Sequence, residues 1–283
     1  MKNSENLKNL VKQKYSEIAL QEKAENQASC CGSGACSTEI YNIMTEDYAG
    51  LDGYNPDADL GLGCGLPTLF AKIKKGDTVI DLGSGAGNDC FIARSETGEA
   101  GKVIGIDFTP AMINKARANA EKLGFNNVEF RHGDIERIPV TANLADVVVS
   151  NCVLNLVPDK AAVFNEVYRV LKPGGHFSIS DIVLSGELPE ALLKDAEMYA
   201  GCVSGAIQKE TYLAYVHSAG FTAVSLQKQK VIVIPDDILN NYLTDEEIKS
   251  FRAGTTGIYS ITLYGQKPEQ TQDNFCIAGA GCC

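Results

Sequence analysis

Apolar positions along this chain keep two different rhythms. Thr78-Val79-Ile80, Lys102-Val103-Ile104-Gly105-Ile106 and Val128-Glu129-Phe130 are short runs bounded by polar or turn residues. Ala145-Asp146-Val147-Val148-Val149-Ser150-Asn151 and His176-Phe177-Ser178-Ile179-Ser180-Asp181 are of the same kind. Such runs read as strands covered on both faces. Between them the spacing turns helical, predicting helices near 88–96, 111–123 and 160–171. Strand alternating with helix points to an α/β fold with a doubly wound, mostly parallel sheet. Before that core, Leu7, Leu10, Val11, Tyr15 and Ile18 predict an amphipathic helix over 5–27. Tyr48 to Pro67, rich in Gly and Asp, is expected to be an ordered loop crossing a ligand pocket. After the core, Pro189 to Ala206 and Lys209 to Ala219 read as helices, and Thr222 to Ile234 as a long strand. A further helix lies within 235–253, with a cap at Thr244 and Glu247 three residues on. Ile258 to Gly265 is the expected last strand, and the polar, glycine-rich stretch beyond Lys267 a tail.

The turn after the first strand carries the sharpest signal. Asp81-Leu82-Gly83-Ser84-Gly85-Ala86-Gly87 leads into a helix, and the next strand ends in Asp107. A strand, a glycine-rich turn, a helix and a second strand ending in a carboxylate make the nucleoside-binding half of such a sheet. Glycine lets the backbone turn tightly and bring N–H groups close to a ligand. Asp107 can accept from ribose hydroxyls, or cap the helix ahead of Thr109-Pro110. A dinucleotide fingerprint reads G-x-G-x-x-G; this turn reads G-x-G-x-G behind Asp81. That pattern resembles the class I S-adenosylmethionine methyltransferases, whose ligand has no pyrophosphate. The resemblance implies a Rossmann-like, seven-stranded sheet closed by an antiparallel hairpin. It also implies cofactor contacts at Asp81, Gly83, Gly85, Gly87 and Asp107. Met112 matches a position that packs against adenine, with plain core as the alternative. Asp134 and Ile135 match the neighbours of the adenine amino group, and Asn151 lies beside the ligand. Leu171-Lys172-Pro173-Gly174-Gly175 matches the turn into strand five.

Composition narrows the partners. A chain of 283 residues can bury one large core and an appendage. A net charge of −11 opposes binding to nucleic acid, which needs clustered Lys and Arg. No apolar run approaches the roughly 20 residues that span a bilayer, and Met1-Lys2-Asn3-Ser4-Glu5 lacks the apolar stretch of a secretion signal. The expectation is a cytoplasmic protein without a membrane partner. Ten cysteines are anomalous in that setting and suggest metal, metalloid or redox chemistry. Cys30, Cys31 and Cys36 cluster near the start, and Cys276, Cys282 and Cys283 near the end. Cys64, Cys90, Cys152 and Cys202 stand singly; Cys90, in the helix after the glycine turn, reads as a buried structural thiol.

Cys152 follows directly on the fourth strand, where amine-directed methyltransferases of nucleic acids carry Asn/Asp-Pro-Pro-aromatic. His132, His176 and His217 are isolated, and no acid/base pair has useful spacing, so an oxygen acceptor finds no general base. Three segments together are similar to the arsenite methyltransferases: Leu62-Gly63-Cys64-Gly65-Leu66-Pro67, Asn151-Cys152-Val153-Leu154-Asn155-Leu156 and Ala200-Gly201-Cys202-Val203-Ser204-Gly205-Ala206. The resemblance implies that Cys64, Cys152 and Cys202 hold trivalent arsenic next to the methyl donor. It also implies that an N-terminal cysteine pairs with the one before the core; Cys30, Cys31 and Cys36 are candidates, with Cys36 preferred. Leu62 departs from the family, which has an aromatic residue there, so no ring can be given a role at that position.

Arsenic(III) is soft and takes sulfur in preference to oxygen or imidazole. A thiol, with an ordinary pKa of about 8.5, loses its proton on binding. The arsenic lone pair attacks the methyl carbon and carries no proton, so no general base is required. Positioning then dominates and is worth roughly 7–11 kcal/mol in well-oriented cases. The oxidised product needs reduction, by nearby thiols closing a disulfide and then by an external thiol reductant such as thioredoxin or glutathione. The expected substrate is arsenite or an arsenic–thiol conjugate, with no catalytic metal ion, on a monomeric enzyme. The expected layout is a Cys-containing arm at 1–65, a methyltransferase domain at 66–267 with an arsenite-binding segment near 186–211, and a Cys-rich tail at 268–283. The alternatives are a thiol-rich arsenic-binding protein without turnover and a generic methyltransferase of carbon or oxygen.

Overall fold

The computed structural model describes residues 2–20, 46–194, 205–254 and 256–269. Helix α1 (Lys2–Leu20) carries its buried residues Val11, Ile18 and Ala19 on one stripe. The predicted stretch beyond Leu20 lies outside the described residues. A loop from Glu46 leads to the single-turn α2 (Pro67–Phe70), opened by a proline at its first position.

Strand and helix then alternate: β1 (Thr78–Leu82), α3 (Asn88–Thr97), β2 (Lys102–Asp107), α4 (Pro110–Leu123), β3 (Val128–His132), β4 (Ala145–Asn151), α5 (Lys160–Val170) and β5 (Leu171–Ser185). Short 3-10 turns at Ile135–Arg137 and Leu154–Leu156 flank β4. The C-terminal part adds α6 (Glu190–Lys194), α7 (Lys209–Ser218), β6 (Thr222–Ile232), α8 (Asp236–Leu239), α9 (Asp245–Ala253) and β7 (Gly257–Gln266). The seven strands lie in the order β3-β2-β1-β4-β5-β7-β6. Neighbours from β3 to β5 are parallel, while β7 runs antiparallel to both β5 and β6.

Period-two alternation explains why the strands are apolar throughout. Ile80 and Leu82 of β1 pack with Val163, Phe164 and Tyr212 from α5 and α7. Val79 turns the other way and packs with Phe91, Met112 and Ala116 from α3 and α4. A third buried group, including Cys64, Cys152, Ile182, Leu184 and Ile248, fills the space beneath the C-terminal elements. Among the described residues no helix is long and apolar enough to cross a membrane.

Two expected elements are redrawn. Of the helix predicted from Pro189 to Ala206, α6 covers Glu190–Lys194, 195–204 lie outside the described residues, and Gly205 and Ala206 are not helical. Directly after it, Leu184 N–H donates to the Ile207 carbonyl at 2.9 Å and the Gln208 amide bonds Gly186 in both directions, so Ile207 and Gln208 lie against the end of β5. The predicted turn Leu171 to Gly175 is drawn into β5, which shifts register against β4 between Ala145 and Val147. The cap at Thr244 forms as expected: its hydroxyl accepts from Glu247 N–H, and the Glu247 carboxylate returns to Thr244 N–H.

Candidate active site at the carboxyl ends of the strands

Strand order reverses between β1 and β4, and at that switch point a cavity opens beyond their carboxyl ends. Its floor is the glycine turn. Gly83 and Ser84 N–H both donate to the Ile106 carbonyl, at 2.7 and 3.0 Å, which binds the turn to the end of β2. Gly83 sits at φ +69, and a Cβ there would come within 2.3 Å of Val153 Cγ2. Only glycine supplies both the left-handed conformation and the clearance. Gly85, at φ +51, donates its N–H to Asp107 Oδ2 at 3.0 Å, while Asp107 Oδ1 accepts from Thr109 N–H at 2.8 Å. The N-cap of α4 is Thr109, while Asp107 fastens the turn and lines the cavity. Burial raises its pKa, against the opposing pull of those backbone N–H groups.

On the next wall stand Asp134 and Ile135. Asp134 Oδ1 accepts from Glu136 N–H at 2.9 Å, and Oδ2 pairs with Lys8 Nζ of α1 at 2.6 Å. Lys8 also pairs with Glu136, so α1 is tied across this rim. The glycine turn, Asp107 and Asp134 match what a nucleoside ligand needs. Two buried polar atoms on the lining, Ser84 Oγ and Asp89 Oδ1, have no hydrogen-bonding partner among the described residues, as expected where a ligand is to bring the missing partner. S-adenosylmethionine fits this set.

Of the nine residues proposed for the cofactor, three do not reach the lining. Asp81 turns its side chain into the sheet face, where Cys90 Sγ donates to Oδ2 at 3.2 Å, and burial drives its pKa well up. Gly87 caps α3 at φ +100, its open side filled by Phe91 and Phe130. Met112 is fully buried with Ile113 and Ala116, because the first turn of α4 directs it into the core. Phe108, directly after Asp107, lines the cavity where an apolar wall was sought in Met112. Tyr48 and Asp59, from the loop expected to cross a pocket, also line it, as does Tyr15 of α1; sequence singles out none of the three as a site residue.

The thiols divide by position. Cys64 and Cys152 are 0 % and 4 % exposed and belong to one buried cluster with Leu156 and Ile182. Cys152 lines the cavity and holds φ +60, a conformation that non-glycine residues adopt at a cost. Its N–H donates to the Ser180 carbonyl at 2.8 Å, which retains the pairing to β5 through this distortion. Cys64 stays behind the wall formed by Leu62 and Gly63, and its N–H donates to Asn151 Oδ1 at 3.0 Å. Asn151 thus lines the cavity, yet its side chain is engaged by the protein. Its Nδ2 faces Tyr48 Oη, Gly65 O at 2.8 Å and Asp89 Oδ2 at 3.2 Å. Burial lifts Asp89 to a pKa of about 6, opposed by hydrogen bonds from Asn151 and Tyr48. Cys90, also fully buried, is bonded to Asp81 away from the lining, as a structural thiol should be. Cys30, Cys31, Cys36, Cys202, Cys276, Cys282 and Cys283 lie outside the described residues.

A family profile described as a methyltransferase domain matches residues 73–220. An arsenite methyltransferase of Halobacterium salinarum is 40% identical over 281 residues, covering 93% of this chain and 67% of that protein. The chain belongs to the arsenite methyltransferase family. The human arsenite methyltransferase is 37% identical over 192 residues, 65% of this chain and 51% of that one. The crystal structure of an arsenic(III) S-adenosylmethionine methyltransferase from Chlamydomonas reinhardtii superposes with a TM-score of 0.60. It is 35% identical, covering 71% of this chain and 66% of that one. The chain spans about half to two thirds of the length of the curated arsenite methyltransferases it matches. In this member of the family the seven-stranded, mixed sheet is the class I methyltransferase fold, and the glycine turn, Asp107 and Cys152 meet at one cavity.

Proposed function

We infer that this chain transfers methyl groups from S-adenosylmethionine to trivalent arsenic held by its own thiols, yielding methylarsenicals. One observation carries the reading: Cys64 and Cys152, far apart in sequence, are buried in one cluster behind and on the wall of the cofactor cavity. Cys202 is assigned as the third ligand, from the segment near 186–211. Gly83, Gly85, Asp107, Asp134 and Ile135 would hold the cofactor, which when bound supplies a methyl group on a cationic sulfonium. Thiolates at Cys64, Cys152 and Cys202 leave arsenic with one bare lone pair, directed at the cavity. That pair forms the new carbon bond with no proton to remove, so the chain's task is orientation and exclusion of water. Phe108, Val153, Leu156 and Val157 supply an apolar lining for the second purpose.

Methylation formally oxidises arsenic to the pentavalent state. In this reading two thiols of the chain, with Cys36 among them, return two electrons by closing a disulfide, and thioredoxin or glutathione reopens it. A monomer working in the reducing cytoplasm suits that cycle. The layout belonging to the reading is an arm at 1–65, a catalytic domain at 66–267 and a tail at 268–283. The test is direct: purified protein, arsenite, S-adenosylmethionine and a dithiol are incubated and the arsenic species separated. Mono- and dimethylated arsenic are expected. Stoichiometric arsenic binding with no methylated product would mean sequestration instead, and methylation without any dependence on the three cysteines would remove them from the mechanism.

A further inference from the structure

We propose that Asn151 is a positioning residue that fixes the spacing of the two arsenic-binding thiols, gripping the backbone of the Cys64 loop with its side chain while its main chain carries Cys152. The proposal rests on the arsenic reading above and assigns the Asn151 side chain to the thiol site, where sequence had assigned the residue to the cofactor.

The grip is two-sided. Asn151 Oδ1 accepts from Cys64 N–H at 3.0 Å, and Nδ2 donates to the Gly65 carbonyl at 2.8 Å. The amide therefore pairs with the loop much as a neighbouring strand would. Ser260 Oγ donates to the Cys64 carbonyl from β7, which holds the loop on its other side. The fit leaves no slack. A Cβ on Gly63 would lie 2.6 Å from Asn151 Nδ2, and one on Gly65 2.6 Å from Ser180 Oγ. Ser180 is also the residue whose carbonyl accepts from Cys152 N–H. Both thiol-bearing backbones are thus referenced to the same pair of neighbours, Asn151 at the end of β4 and Ser180 beside it within β5.

The chemistry requires an amide. Gly65 O and the Asp89 carboxylate only accept, whereas Cys64 N–H only donates, so the side chain must present a donor on one edge and an acceptor on the other. Asp89 and Tyr48 fix that orientation: Nδ2 lies 3.2 Å from Asp89 Oδ2, and Tyr48 Oη is within hydrogen-bonding distance of both Gly65 O and Asp89 Oδ2, at 3.1 Å each. Aspartate at position 151 keeps the acceptor but loses the donor, unless it is protonated.

The test uses the full-length chain with every cysteine except Cys64, Cys90 and Cys152 replaced by serine. The probe is phenylarsine oxide, which two thiols convert to a dithioarsonite with release of one water and no net proton. The parent is expected to take up one equivalent. Asn151→Ala should weaken uptake by roughly tenfold or more, since two buried backbone groups lose their partner. The affinity for S-adenosylmethionine and the far-ultraviolet circular dichroism should stay near parental. Asn151→Asp should be similarly weak at about pH 8 and recover toward the parent at about pH 5, where a neutral carboxyl can again donate. A residue with a merely structural role would give no such pH-dependent recovery. If Asn151→Ala does not fold, the pH ratio within Asn151→Asp decides the matter. Variants that match a binding-competent parent at both pH values overturn the clasp alone. A parent that takes up no arsenical overturns the arsenic reading, and the clasp with it.

Discussion

The cofactor half and the thiol half of this cavity are built in opposite ways. The cofactor half is one continuous piece of chain: β1, the glycine turn, α3, and β2 ending in Asp107. Its hydrogen bonds are backbone-led, with the turn fastened to Ile106 O and to the Asp107 carboxylate. Among the described residues the thiol half is assembled from the loop before β1, which carries Cys64, and the end of β4, which carries Cys152. Side chains hold it together, above all Asn151. A contiguous site is specified by local conformation, whereas a convergent one is specified by how the sheet brings distant segments together. Single substitutions should therefore damage one half while sparing the other.

The largest expected effect is at Cys152. Cys152→Ser should lower methylation by roughly a thousandfold or more, the scale of losing one positioned reactant. S-adenosylmethionine affinity, measured by calorimetry, should change little. Comparable losses in both quantities would mean that the halves are not separable. The converse is Asp107→Ala, which removes the acceptor for Gly85 and Thr109 N–H together with a cavity-facing carboxylate. Cofactor affinity should fall about 10- to 100-fold, on the basis of about 1.5–3 kcal/mol for a charged hydrogen bond. Uptake of phenylarsine oxide by the thiols should remain near wild type.

Asp89 lies between the halves and gives a pH signature. Its pKa in the folded protein is raised to about 6 by burial, so the folded state holds this proton more tightly than the unfolded chain does. Stability therefore falls as pH rises through that window, by linkage. Asp89→Asn should gain thermal stability relative to wild type as pH increases from about 4 to about 7, with little difference below that range. An unchanged gap between the two melting curves would show that the carboxyl ionises without cost, a result that would weaken the picture of a tightly closed junction. The smallest effect is expected at Cys90. Cys90→Ala should cost about 1 kcal/mol from the small cavity it leaves, and methylation should stay within about twofold of wild type. This buried thiol would then serve as the control for the cysteines assigned to arsenic.

Residue order carried much of this. The alternation of apolar strands with amphipathic helices was visible in Val79, Ile80, Val147 and Val149, because burial on both faces forces continuous apolar runs. Gly83 and Gly85 were legible because a tight turn against Ile106 admits few other residues. Sequence leaves Met112 open between an adenine wall and plain core. Its helical spacing was correct, but spacing does not state which buried side the residue faces, and the core took it while Phe108 reached the cavity. The bonds that hold Ile207 and Gln208 to Leu184 and Gly186 were not legible, because those partners are about twenty residues away in the chain.

From order alone, then, came the sheet class, the nucleoside turn and the thiols as candidates, because each depends on local conformation or on residue type. Only tertiary structure decided that Cys64 and Cys152 share a buried cluster, that Asn151 serves the loop, and that Asp89 titrates near 6. Those facts depend on contacts between segments distant in sequence and on the removal of water around them. Neither is written in any short stretch of residues.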